Sequence, residues 1–198
     1  MSWSTFTSPA SPAQVRAYGS VLDALHAFHD ALASAAPGPE MLDRLAEDLR
    51  GWTDTLTPMA VPELERLAGR TLSLPVRGHP AIPPFAVDSL DGDKIEGTVT
   101  FGAFFLGGGG SAHGGTILTI FDEVLGVLAV TQSRAASRTA YLKTDFRATV
   151  PVDTPVRVVA WVERVEGRKR FLRGEMWVGE TLCAEADALF VVVRDPTA

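Results

Sequence analysis

The stretch GGGGSAHGGTILTIFDEVLG, residues 107–126, decides the fold. A glycine run and a histidine, His113, lead straight into a pattern that is apolar on nearly every side. Ile117, Leu118, Ile120, Phe121, Val124, Leu125, Leu128 and Val130 leave no broad polar stripe for solvent. A helix of that kind has to be enclosed over most of its circumference. The spacing predicts a helix from about Gly115 to Thr131, carrying one acid pair, Asp122 and Glu123.

The flanking sequence supplies the enclosure. Residues 85–105, FAVDSLDGDKIEGTVTFGAFF, read as a hairpin that turns at Asp91-Gly92. Beyond the helix, four runs alternate with period two: TAYLKTDFRA (139–148), TPVRVVAWVERV (154–165), KRFLRGEMWVG (169–179) and TLCAEADALFVVV (181–193). Turns at Glu166-Gly167 and Gly179-Glu180 join the last three into a meander. One long helix inserted into an antiparallel sheet is an α+β layer. A strongly twisted sheet of about six strands can wrap such a helix.

Upstream the pattern is helical. Residues 11–38 open with Ser11 as cap and Pro12 at the first helical position, and Pro37-Gly38 ends the run. Val21, Leu22, Leu25, Phe28 and Leu32 recur at helical spacing. A second helix over residues 39–56 puts Met41, Leu42, Leu45 and Leu49 on one face. A proline-rich traverse follows, from Pro58 to Pro84. The expected division is an N-terminal helical extension and traverse, residues 1–80, and a sheet-and-helix domain, residues 81–198.

Composition narrows the function classes. The chain has 198 residues, 46% hydrophobic and 21% charged, enough for a real core. A net charge of -6 gives no support to nucleic-acid binding. Cys183, the single cysteine, excludes an intrachain disulfide and reads as a small buried hydrophobe. His26 and His29 lack a completing acid or cysteine motif, so no metal site is expected. His79, between Gly78 and Pro80, reads as a structural loop histidine. The first residues lack the basic and apolar regions of a leader, and no uninterrupted apolar run reaches membrane-spanning length. The expectation is a cytoplasmic protein.

The chemistry gathers at the start of the central helix. Glycines there free the backbone for close approach to a ligand, and the first helical amides lack intrahelical partners. A carbonyl oxygen set against Gly114 or Gly115 N–H would be polarised and stabilised as an oxyanion. No Lys-Ser/Thr follows, so a phosphate loop fails, and a dinucleotide fingerprint does not fit either. Asp122, among apolar neighbours, is costly unless paired, solvated or used as a base or nucleophile. The bland alternative places it on a solvated seam. Glu123 lies about 100° further round, so both acids can hardly enter one pocket.

HGGTILTIFDEVLG followed by RTAYLKTDFRATVPVDTPV closely resembles the hot-dog-fold acyl-CoA thioesterases of the phenylacetate-pathway type. It is similar above all to the subgroup with the mammalian members acting on long acyl chains. The match rests on His113-Gly114-Gly115, Asp122, Gly126 and the strand TAYLKTDFRATVPV, within residues 85–193. The resemblance implies that His113 orients the loop, Gly114 with Gly115 donates N–H, and Asp122 activates water or attacks directly. Thr139 matches the hydroxyl that holds the water or nucleophile, with Ser137 as the alternative if the preceding loop shifts register. It also implies a homodimer with active sites between subunits, pairs of dimers being common in the fold. Relatives with asparagine in place of His113 also hydrolyse thioesters, which makes His113 more structural than acid–base. The dehydratase patterns of the same fold are missing, which favours hydrolysis.

Coenzyme A would enter as part of the substrate, with no separate cofactor. Arg147 and the turn residues Arg168, Lys169 and Arg170 offer positive charge for its phosphates, although EGRKR reads equally as a solvated turn. The acyl chain would run along the helix near Phe121 and Leu125. The competing readings are a non-catalytic acyl-thioester binding module and a structural oligomer.

Overall fold

The computed structural model describes residues 8–193. Residues 1–7, part of the stretch read above as lacking a leader pattern, lie outside the described residues. Helix α1 (Pro12–Ser34) starts on the expected cap. Ser11 Oγ accepts from Gln14 N–H, and the Gln14 side chain accepts from Ser11 N–H, which satisfies amides that the helix itself cannot. Helix α2 spans Pro39–Leu56. The traverse contains single 3-10 turns at Thr57–Met59 and Glu63–Glu65 and a turn at Pro75–Gly78 whose middle residues, Val76 and Arg77, are left-handed.

Strands β1 (Phe85–Leu90) and β2 (Lys94–Thr100) form the expected hairpin. Its turn is held by the Asp91 carboxylate, which accepts from the N–H groups of Asp93 and Lys94. Next come a 3-10 turn at Ala103–Phe105 and a small ribbon of β3 (Leu106–Gly108) with β4 (Ser111–Ala112). Central helix α3 is Gly114–Ser133, slightly longer than its sequence pattern indicated. Strands β5 (Ser137–Phe146), β6 (Pro155–Glu166), β7 (Lys169–Val178) and β8 (Thr181–Val192) complete the chain. The six-stranded sheet is antiparallel in the order β1-β2-β6-β7-β8-β5. It wraps α3 in the hot-dog arrangement.

Packing, more than capping, holds α3. Ile120, Phe121, Leu125, Leu128 and Ala129 are completely buried against the sheet side of the core. Each large side chain of this set stabilises by about 1.5–3 kcal/mol, against about 1 kcal/mol for a helix cap. Gly174 in β7 makes the contact possible, because a Cβ there would come 2.9 Å from the Phe121 ring. The opposite flank is less enclosed: Leu118, Val127 and Val130 are half-buried and Asp122 is exposed. Among the described residues, α3 alone has the length and apolar composition of a membrane span, and the sheet encloses it.

The extension meets this layer through α1. Leu22 is buried, Tyr18 Oη donates to Gly78 O at 2.9 Å, and Asp30 accepts from Phe104 N–H. Helix α2 buries nothing. The expected apolar face exists, but Met41, Leu42 and Leu49 are exposed with Trp52, which is 66% accessible. An apolar stripe in sequence says that a face wants cover and carries no information on whether the same chain supplies it.

Candidate active site at the start of helix α3

The glycine run forms a turn whose backbone only glycine adopts readily. Gly108, Gly109 and Gly110 take φ values of 134°, 58° and 76°, which L residues rarely adopt. Gly107 is needed for a different reason: a Cβ there would lie 2.8 Å from His113 Cα. The ribbon is tied down on both sides. Ala112 N–H donates to Val150 O at 2.8 Å, and Val152 N–H donates to Gly110 O at 3.1 Å.

His113 is the N-cap of α3. Its N–H donates to Phe105 O at 2.7 Å, and its Nδ1 accepts from Gly115 N–H at 3.0 Å. With Nδ1 accepting, the imidazole carries its proton on Nε2 and offers that N–H from an exposed side chain. Thr116 and Ile117 N–H both turn back to His113 O. Gly114 N–H is thus the first-turn amide with no partner among the described residues. Gly114 borders a cleft of about 480 Å³ together with Ile117, Phe146, Arg147 and Thr149. The positive end of a 20-residue helix faces that space.

The acid pair separates as its spacing requires. Asp122 is exposed, and its Oδ1 accepts from Thr139 Oγ1 at 2.8 Å across to β5. Ser137 does not share this contact: its hydroxyl is buried with no hydrogen-bond partner among the described residues. Glu123 is the buried acid. It takes a bidentate contact from Arg77, Nε to Oε1 at 2.7 Å and Nη2 to Oε2 at 2.5 Å. The Arg77 pKa is raised above its ordinary value by that hydrogen bond first, against the lowering effect of burial. Attraction to Glu123 and Asp122 adds to the rise.

Arg77 was invisible in the sequence. It sits in the traverse, 46 residues from its partner, with no local pattern to mark it. Its backbone is left-handed, as is that of Val76, at φ 58° and 45°. Such conformations cost on the order of 1–3 kcal/mol each and persist only where surroundings impose them. Here Thr71 N–H to Arg77 O at 3.0 Å and the Glu123 pair impose it.

The remaining site candidates fall into three places. Arg147 lines the Gly114 cleft, with its guanidinium bonded to Glu185, a contact that raises its pKa. Arg168 lies in the β6–β7 turn and Lys169 and Arg170 open β7; Arg170 reaches Gln132 at the far end of α3 and Arg168 donates to Val192 O. In β8, Val192 pairs with Ser137, so this turn lies on the Thr139 side of the protomer and away from the Gly114 cleft. Phe121 and Leu125 are both 0% exposed inside the core, and neither borders the Gly114 cleft. No group of three or more potential metal ligands occurs among the described residues. Cys183 is free and buried.

Gly114 and Asp122 do not meet within one protomer. They are eight positions apart on α3, about 12 Å along the axis. That span is far beyond the reach of one carbonyl group and one attacking atom.

Comparison with known proteins agrees with this architecture. Residues 109–185 match the family model of the thioesterase superfamily. Acyl-coenzyme A thioesterase THEM4 of Mus musculus is 34% identical over 84 residues, 41% of this chain and 36% of that protein. The Rattus norvegicus protein of the same name matches to the same extent. The chain therefore spans well under half the length of these curated relatives. A solved thioesterase superfamily protein superposes with a TM-score of 0.75 at 27% identity, over 93% of this chain and 97% of its own. Coverage that wide has to include counterparts of α1 and α2.

Proposed function

We propose that this chain, a hot-dog protein of thioesterase-superfamily kind related to acyl-CoA thioesterases, hydrolyses acyl-CoA thioesters to a carboxylic acid and coenzyme A. The observation that carries the proposal is the pairing of an unpartnered amide at the start of α3 with a carboxylate oriented by a hydroxyl. Gly114 N–H is the donor for the carbonyl oxygen, where it stabilises the charge that develops as the carbon becomes tetrahedral. Asp122 either removes a proton from water as it attacks or attacks the carbonyl itself. Thr139 Oγ1–H holds that carboxylate in place. Collapse of the tetrahedral intermediate expels the coenzyme A thiolate; after attack by water this leaves the free acid, and after attack by Asp122 it leaves an acyl anhydride on Asp122 that water then hydrolyses. The His113-Gly114-Gly115 and Asp122 pattern supports the phenylacetate-pathway type within the family.

The roughly 12 Å between Gly114 and Asp122 in one helix favours a composite site, with Asp122 from one protomer and the His113–Gly114 turn from a second. Edge strand β5 offers the means. It ends the sheet with one side unpaired among the described residues, and it carries Thr139. Such an edge is a template for a second copy. Arg147 on the cleft and the Arg168–Arg170 turn on the Asp122 side would then flank the same site from two chains and receive the phosphates of coenzyme A.

The test is release of free thiol from a series of acyl-CoA substrates, aromatic acyl groups included. Wild type is expected to turn over at least one class, and D122N to lose turnover while melting as a folded protein. Saturable binding without thiol release would favour the binding-module reading instead.

A further inference from the structure

We propose that Asp30, on the extension helix α1, is a positioning residue for the Gly114 amide. The inference rests on the hydrolytic reading above for its kinetic consequence, but its structural claim stands on contacts alone. Asp30 Oδ1 accepts from Phe104 N–H at 2.9 Å. The very next residue, Phe105, provides the carbonyl that receives His113 N–H at 2.7 Å. His113 in turn caps α3 through Gly115 N–H. One residue of backbone therefore separates the carboxylate of α1 from the anchor of the catalytic turn.

The 102–105 segment is built to receive that carboxylate. A Cβ on Gly102 would fall 2.2–2.5 Å from the carboxylate atoms of Asp30, so glycine alone leaves room for it. Phe105 N–H closes the turn on Gly102 O at 3.0 Å. The neighbouring His29 ring stacks on Phe104, centroids 4.3 Å apart and planes 16° from parallel. Phe104 is itself 46% exposed, and Asp30, His29 and an edge contact with the Phe105 ring hold it. A cavity of about 150 Å³ lies beside them, between α1 and the turn, and the buried His26 Nε2 has no partner among the described residues. The turn thus has space to move into once Asp30 releases it. A shift of the order of 1 Å at a catalytic donor can cost about a hundredfold in rate.

Three variants test this. D30A removes the acceptor, D30N keeps an oxygen that can accept from Phe104 N–H, and G102A displaces an intact Asp30. D30A and G102A are expected to lose about tenfold or more in kcat with KM little changed, while D30N stays within about threefold of wild type on the same reasoning. The double variant D30A/G102A should be no worse than the single ones, since both act on one contact. Amide exchange gives a readout free of activity: Gly115 N–H should lose protection in D30A and G102A and keep it in D30N. Wild-type kcat together with unchanged Gly115 protection in D30A and G102A would overturn the proposal. If wild type itself released no thiol, the hydrolytic reading would fail, and the exchange result would still decide the role of Asp30.

Discussion

Asp122 and Glu123 are adjacent, and the fold gives them opposite work. Asp122 stays at the surface of the protomer under a hydroxyl, whereas Glu123 is buried under a guanidinium. Asp122 was legible as a candidate from its apolar neighbours; its exposure was not, because a helix pattern cannot show which flank the sheet leaves open. Replacing Thr139 with Val removes the hydrogen bond that orients the carboxylate. A fall of about tenfold to a hundredfold in kcat is expected, with KM little affected, as steady-state kinetics will show. Arg77→Ala should act on stability instead. It strands Glu123, whose side chain is only 7% exposed. Breaking a buried pair costs about 3–5 kcal/mol. With the Arg77 side chain 41% exposed, about 2–3 kcal/mol is the better expectation, measurable by denaturant unfolding. The arginine could not be found in the sequence, because the contact joins a traverse to a helix.

Helix α3 was the best-read element, since its all-round apolar pattern demands enclosure and the six-stranded sheet provides it. The glycines around it were read less well. Those before it form a ribbon with left-handed residues, which depends on ladder contacts that no local pattern displays. Gly174 is hidden for the same reason: its importance comes from the Phe121 ring across the layer. Gly174→Ala should destabilise by about 1–3 kcal/mol through overpacking, read as a lower unfolding midpoint with an unchanged slope. At the start of α3, Gly114→Pro offers a cleaner probe. Proline is well suited to the first helical position, and His113 already has the extended backbone that a following proline prefers. A Cβ there meets the exposed Phe146 ring at 3.2 Å. Circular dichroism should show the helix content retained while thiol release disappears, because only the N–H is lost.

At the scale of the whole molecule, the open features bear on one proposal. The edge of β5, the less enclosed flank of α3 and the distance from Gly114 to Asp122 are the three features that the proposed composite site would account for. In the sequence a homodimer is an expectation from family resemblance alone, since edges and distances exist only after folding. A mixture of two dead variants tests the composite site most directly. D122N and G114P, each inactive alone, would be co-expressed and assayed for thiol release from the acyl-CoA that wild type turns over best. Random pairing of two such variants in a dimer gives half heterodimers, each with one complete site, so roughly a quarter of wild-type turnover is expected. Recovery no greater than the two parents combined, with mixed dimers present, would contradict a thioester site shared between two chains.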